Sequence, residues 1–339
     1  MVNLESRECQ ITVDEHVGHI KLPRTLTVLE AVAFKQSFQD LCQSNPYLAK
    51  AELDFSDTRF IDSSGIGAMM GVWKIAQQHE VQFSLHNVPQ QVMMSLSLAG
   101  LDQYLDIQST LPSPHDSDKK TLGSLGSAQH SSPATHPSVR SPLKRLMDIV
   151  GGCIGLAITA LLFIPIAIAI KIEDGGPIFF SQTRCSWMGR RFTIWKFRSM
   201  VVDAEALKEK LAAQNEVKGA IFKMKDDPRI TRVGSILRKT SLDEFPQFWN
   251  VVKGDMSLVG TRPPTPDEIE MYEIPQWQRL DVKPGLTGEW QVNGRSSVKD
   301  FEDVIQMDLR YQERWSLLYD FQLIFRTIAV LFSRDSGAY

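Results

Sequence analysis

The stretch Thr240-Ser-Leu-Asp-Glu-Phe-Pro-Gln-Phe-Trp-Asn250, followed closely by Gly254-Asp-Met-Ser-Leu-Val-Gly-Thr-Arg-Pro-Pro264, decides how the second half of this chain is read. It sets two adjacent carboxylates, Asp243 and Glu244, among cations. Asp226, Asp227, Arg229, Arg232, Arg238 and Lys239 run directly into it, and Lys196 and Arg198 end a preceding strand pattern. Downstream, Gly260-Thr-Arg-Pro-Pro frames Arg262, and Lys283-Pro-Gly-Leu-Thr-Gly and Gln291-Val-Asn-Gly-Arg295 add cations in glycine-shaped turns. Locally, Ser241-Leu-Asp-Glu reads as a capping box, with Ser241 at N-cap and Glu244 at N3. That accounts for one acid and for none of the cations. Acids ringed by cations suit phosphoryl transfer, in which cations and a divalent metal neutralise phosphate oxygens and a carboxylate can act as nucleophile. Adjacent acids repel unless a metal sits by them, and hard oxygen ligands favour Mg2+.

Working outward, an uncharged apolar run from Ile149 to Ile170 lies upstream. At about 1.5 Å per residue it is long enough to cross a bilayer. Two observations favour a segment that enters and returns. Pro165 removes the bond to the Leu161 carbonyl and predicts a helix–break–helix. Lys144 and Arg145 before the run, and Lys171, Arg184, Arg190 and Arg191 after it, place both ends on the cytoplasmic side by the positive-inside tendency. The C-terminal stretch Leu317 to Phe332 predicts an amphipathic helix suited to the membrane interface.

Composition narrows the chemistry. The 339 residues allow two domains, and a net charge of -3 carries no nucleic-acid signal. The four cysteines are scattered, which suits neither a disulfide scaffold nor a zinc site. The polar N-terminus lacks the apolar core of a secretory signal, so the first domain is expected inside the cell. All seven histidines, His16 to His136, precede the apolar run. Chemistry in the second half therefore falls to carboxylates, cations, hydroxyls or a bound metal, and serine-hydrolase triads and histidine metal sites are excluded there.

Residues 1–110 alternate strands with helices, which argues for a sheet covered by helices. Gln10-Ile-Thr-Val and Gly18 to Leu22 read as a hairpin, Ala51 to Phe55 and Val81 to Leu85 as further strands. Helical spacing marks Thr27 to Cys42, the segment from about Ser64, and Gln90 to Ala99. Residues 111–141, rich in Ser, Pro, Gly and His, read as a flexible linker. Residues 142–339 form the second domain, with its membrane segment at 145–172. A hairpin is expected there, Pro177 to Phe180 and Arg191 to Arg198 about a turn near Trp187. Helices are expected at Ala204 to Asn215, Leu242 to Val252 and Asp300 to Arg314.

In the first domain, Phe60-Ile-Asp-Ser-Ser-Gly-Ile-Gly-Ala-Met-Met-Gly71 joins a strand to a helix, and Asp62, Ser63 or Ser64 is expected to cap that helix. This string and its setting resemble the STAS family, the anti-sigma-factor antagonist fold. The resemblance implies Ser63 as a candidate phosphorylation site, where phosphate would add charge able to release a partner. It also implies a partner protein or kinase, or a homodimer. The family's Gly-x-Leu-Asp at the end of the second strand is replaced here by Leu22-Pro-Arg-Thr.

In the second domain, Lys-Arg-Leu-Met-Asp, Trp-Lys-Phe-Arg-Ser-Met, Ser-Leu-Asp-Glu, Lys-Gly-Asp-Met-Ser-Leu-Val-Gly, Arg-Pro, Lys-Pro-Gly-Leu-Thr-Gly and Gln-Val-Asn-Gly-Arg occur in one order from Leu143 to Phe332. This series resembles the bacterial sugar transferase family, the monotopic phosphoglycosyl transferases. The resemblance implies an α+β domain on the cytoplasmic face of the bacterial inner membrane, with a re-entrant helix hairpin. It implies transfer of sugar-1-phosphate from a UDP-sugar to undecaprenyl phosphate, the start of exopolysaccharide assembly. Asp243 would be the nucleophile that carries the phospho-sugar, with Glu244 helping to hold Mg2+. Arg238 and Arg262, and less directly Lys196 and Arg198, would contact phosphate, and Gln291 and Arg295 the donor. Some members have Pro-Arg-Pro where this chain has Thr261-Arg-Pro, and small members break the membrane helix at Ser-Pro rather than Ile164-Pro165. The alternatives are a membrane-tethered STAS scaffold with an inert transferase domain, and a hydrolase that uses water as acceptor.

Overall fold

The fold is described from a computed structural model, which covers residues 9–108, 135–211, 224, 227–293 and 300–332. The expected linker falls largely on residues 109–134, outside the described residues, as do Asp226 and Arg295. The chain divides into two compact units. One comprises Met1–Thr135 with Glu273–Gln278, the other His136–Tyr272 with Arg279–Tyr339.

The first unit follows the chain as β1 (Gln10–Asp14), β2 (Val17–Lys21), β3 (Thr25–Leu26), α1 (Val28–Ser44), β4 (Lys50–Asp54), β5 (Phe60–Ile61), α2 (Ser63–Gln78), β6 (Gln82–His86), α3 (Gln90–Leu98) and β7 (Asp106–Gln108). The mixed sheet runs β1-β2-β4-β6-β7. β1 and β2 form the expected antiparallel hairpin, whose turn places Glu15 at φ 51°, and the remaining pairs are parallel. The side-chain period puts Ala51 and Leu53 of β4 in the core. Phe34 and Phe38 of α1 and Ile66, Met69 and Val72 of α2, at helical spacing, are fully buried. Asp62 is the cap of α2, its Oδ1 accepting from Gly65 N at 2.9 Å.

The second unit contains α4 (Pro137–Arg140), α5 (Pro142–Asp174), β8 (Phe179–Cys185), β9 (Arg191–Phe197), α6 (Ala204–Leu211), α7 (Arg232–Lys239), α8 (Phe248–Lys253), β10 (Ser257–Val259), α9 (Pro266–Glu270), β11 (Gly285–Thr287), α10 (Glu289–Asn293), α11 (Phe301–Arg314) and α12 (Leu317–Phe332). β8 and β9 form the expected hairpin, in which Met188 (φ 58°) makes the left-handed turn. β10 and β11 form a short parallel pair that the sequence pattern did not predict.

The separate helices expected on either side of Pro165 are one helix of 33 residues. A proline removes one backbone bond, and packing can hold the helix through that gap. Leu162, Phe163, Ile166 and Ile170 supply that packing against Phe197 and Leu237. At Gly155 any side chain would meet the Phe248 ring, so the first half of α5 rests directly on α8. Among the described residues α5 is the one helix long and apolar enough to cross a membrane, with a mean hydropathy of 2.7 over an 18-residue stretch.

The cations read as flanking charges at the start of α5 have structural work. Lys144 is buried and donates to Asp320 Oδ2 at 2.6 Å and to the Val259 carbonyl at 3.0 Å. Arg145 donates to the Val251 and Val252 carbonyls, at 2.8 and 2.6 Å, near the C-terminus of α8. One helical turn on, Asp148 accepts from Ser257 Oγ and Leu258 N. The Lys-Arg-Leu-Met-Asp string thus fastens α5 to α8, β10 and α12.

Candidate active site

The acid pair is positioned by a tight reversal after α7. Any side chain at Gly234 would collide with the Ser199 carbonyl, so this glycine brings α7 against the chain that leaves β9. At the far end of α7, Ser241 adopts φ 54° and makes no side-chain capping hydrogen bond. The expected capping box is therefore corrected: Ser241 turns the backbone in the left-handed region instead of capping it. The single helix expected from Leu242 to Val252 is a 3-10 segment, Leu242–Gln247, followed by α8. Asn250 ties α8 to β9 by donating to the Thr193 carbonyl at 2.7 Å and accepting from Trp195 N at 3.3 Å. This brings Lys196 of β9 to the acid pair, where it donates to Glu244 Oε1 at 2.8 Å.

Asp243 and Glu244 differ in setting. Asp243 is only 7% exposed. Burial pushes its carboxyl up to about 6, against the pull of Lys196 and then with the repulsion of Glu244. The Glu244 side chain is 40% exposed. The two acids also line different cavities. Asp243 belongs to a cavity of about 300 Å³ walled by Lys196, Arg198, Arg238 and Arg262, with Arg184 and Glu268. Glu244 belongs to one of about 540 Å³ lined by apolar side chains of α5 (Ile154, Ile158), Phe245, Phe248 and α12 (Ile324, Ile328).

The wall of the first cavity is braced. Arg262 donates to Glu268 through both terminal nitrogens, at 2.7 and 3.0 Å. Burial alone would raise the Glu268 carboxyl, but Arg262 bonded to it brings it below its ordinary value. Arg184 donates to the Pro263 carbonyl at 2.9 Å, and burial, then the Arg262 charge, press its guanidinium down from its ordinary value. An anion in the cavity would relieve that pressure. Beneath, fully buried Arg279 pairs with Asp308 and donates to the Arg262 carbonyl at 3.2 Å.

The sequence-derived site residues thus divide. Asp243, Lys196, Arg198, Arg238 and Arg262 meet at one cavity. Arg198 is held there by Asp174 and the Pro177 carbonyl, so its guanidinium fastens the end of α5. Gln291 lines the apolar cavity instead, and its buried Oε1 finds no hydrogen-bond partner among the described residues. Ser63 belongs to the first unit and is fully buried. Glu268 and Arg279 were missed. A signal for Glu268 existed: Thr265-Pro-Asp-Glu has the form of a helix start, and Thr265 Oγ1 does accept from Glu268 N.

No group of three or more His, Cys, Asp or Glu suited to a metal occurs among the described residues. Two carboxylates without a preformed cage fit Mg2+, which keeps waters and binds through one or two carboxylates with substrate phosphates.

Residues 139–334, more than half of the chain, match the family model for bacterial sugar transferases, and the chain belongs to that family. Residues 9–109 match a STAS domain model, so a STAS domain precedes the transferase region. The chain is 50% identical over 188 residues to a galactosyl transferase, CpsE, of Streptococcus agalactiae, covering 56% of this chain and 42% of the relative. It is 43% identical over 201 residues to an undecaprenyl-phosphate galactose phosphotransferase of Salmonella typhimurium, covering 58% of this chain and 42% of the relative. It is 38% identical over 198 residues to the exopolysaccharide production protein ExoY of Rhizobium meliloti, covering 57% of this chain and 87% of the relative. The chain thus spans less than half the length of the first two.

Proposed function

We propose that the chain transfers a sugar-1-phosphate from a UDP-sugar to undecaprenyl phosphate and releases UMP. The observation that carries this is the adjacency of two acids that line two unlike cavities, one cationic and one apolar. A nucleotide diphosphate matches the cationic cavity and a polyprenyl chain the apolar one.

In the first step a carboxylate oxygen of Asp243 attacks the phosphorus that bears the sugar. The bond from that phosphorus to the UMP oxygen breaks, and UMP leaves with its electron pair. In the second step a phosphate oxygen of the lipid attacks the same phosphorus. The aspartyl–phosphorus bond breaks, Asp243 is restored, and the sugar leaves on a lipid diphosphate. Lys196, Arg238 and Arg262 hold charge that would neutralise the phosphate oxygens. Asp243 and Glu244 would hold Mg2+, which neutralises further phosphate charge. The names of the first two relatives suggest galactose as the sugar.

In this reading the site works from the cytoplasmic face, and α5, one continuous helix, would bend at Pro165 to enter and leave the membrane on one side. Both ends of α5 bond to its own unit, Lys144 to Asp320 and Asp174 to Arg198, which supports re-entry over a crossing. A STAS partner or kinase remains part of this reading.

Asp243→Asn should abolish UMP release, and the wild-type chain given donor alone should yield a labelled phospho-sugar adduct on Asp243. Product formation without any adduct removes the covalent step. UMP release with no lipid present would instead favour a hydrolase. Glu244→Gln should shift the Mg2+ titration to higher concentration, and an unchanged titration would contradict the ligand assignment.

A further inference from the structure

The first unit contains a segment from far along the chain, Glu273–Gln278. Trp277 fills a place on α2: it is 4% exposed, and a side chain added at Gly67 would come within 2.6 Å of its ring. Ser63 Oγ donates to the Trp277 carbonyl at 2.7 Å. Ile274 is buried as well, at 4% exposure. Glycine is disfavoured inside a helix, so one that admits an indole has a packing reason to be there. The start of α2, where a STAS domain would present Ser63 to a partner, is occupied by this chain's own tryptophan.

Arg279, at one end of this strap, lies behind the wall of the cationic cavity and donates to the Arg262 carbonyl. Arg279 donates to Tyr272 Oη at 2.8 Å, which closes the base of the loop. The Arg279 carbonyl accepts from Thr261 Oγ1 at 3.2 Å, next to Arg262. We infer that Glu273–Gln278 is an intramolecular ligand of the STAS unit, and that its capture by Ser63 and Gly67 steadies the Arg262 loop. Negative charge at position 63 offers the Trp277 carbonyl no donor and repels it, so it releases the strap. The effect on donor affinity rests on the proposed transferase activity; the capture itself does not.

Hydrogen exchange on the full-length chain tests both parts. Amides of 274–278 and of 260–262 should be protected in the wild type. Ser63→Asp and Gly67→Val should each lose about tenfold in protection at both segments, by local opening. Trp277→Ala, which leaves α2 intact, should reproduce the effect at 260–262 even if Gly67→Val unfolds the first unit. Unchanged exchange at 274–278 in Ser63→Asp overturns the capture. Loosening at 274–278 with none at 260–262 overturns the steadying. In UMP-release assays the same variants should raise KM for the UDP-sugar several-fold with kcat nearly constant. A wild type that releases no UMP from any UDP-sugar would sink the transferase reading, while the exchange data still decide the capture.

Discussion

Asp243 shows how burial can set reactivity. Its carboxyl, raised to about 6 chiefly by burial, is the protonated acid below that pH and, above it, the carboxylate that the proposed attack requires. UMP release should therefore fall about tenfold per pH unit below roughly pH 5 and level off above roughly pH 7. The effect on stability has the opposite sign. A raised carboxyl favours the folded state most at pH below its unfolded value, near 3.8, and that contribution is lost as pH rises through about 6. Asp243→Asn removes a charge that burial disfavours. Its melting temperature at pH 7.5 should match or exceed the wild type while UMP release vanishes. A fall of many degrees, checked by calorimetry, would make the lost activity a folding defect. Of these residues, the meeting of Asp243 with Lys196, Arg198, Arg238 and Arg262 at one cavity was legible in the sequence, as acids and cations set close to Gly/Pro-framed loops. The conformation of Ser241 was not, because Ser-Leu-Asp-Glu satisfies the pattern of a cap whichever way the serine's backbone turns.

At the scale of elements, the bond between Lys144 and Asp320 joins the start of α5 to α12, with Tyr311 Oη and Trp315 Nε1 also on Asp320. The Asp320 side chain is 0% exposed and that of Lys144 5%, so removal of the cation leaves a buried charge without its counter-ion. Lys144→Met should cost about 3–5 kcal/mol, measured by denaturant titration in detergent, and Lys144→Met with Asp320→Leu should recover part of it. The start of α5 reads as a basic flank in the sequence, because a lysine before an apolar run looks alike whether it faces water or a buried aspartate. The bounds of α12 were legible because its apolar spacing is long and regular. β10 and β11 were not, since three-residue strands are too short to show a period and their partners lie far apart in sequence.

For the molecule as a whole, the exposed surface of α5 and α12 is largely apolar. Leu161, Ile164, Ile168, Leu318 and Phe325 are each more than half exposed. Such a surface points to lipid contact. The full chain should stay with the membrane fraction through washes of about 1 M salt and leave it only in detergent, because apolar burial is not screened as surface charge is. Release by salt alone would contradict an inserted α5. The two-unit organisation was legible in the change of composition after residue 110. The placement of Glu273–Gln278 was not, because the bond from Ser63 to Trp277 spans 214 positions and no local pattern announces it.

That placement has a practical consequence for anyone who dissects the protein. The indole that packs against the N-terminal module comes from far along the chain, so a single cut separates the two. A fragment ending near residue 135 would carry a vacant indole slot, and the excised remainder a stray tryptophan. Fusing the hexapeptide Glu-Ile-Pro-Gln-Trp-Gln back to the fragment through a short tether is the graft that should refill that slot.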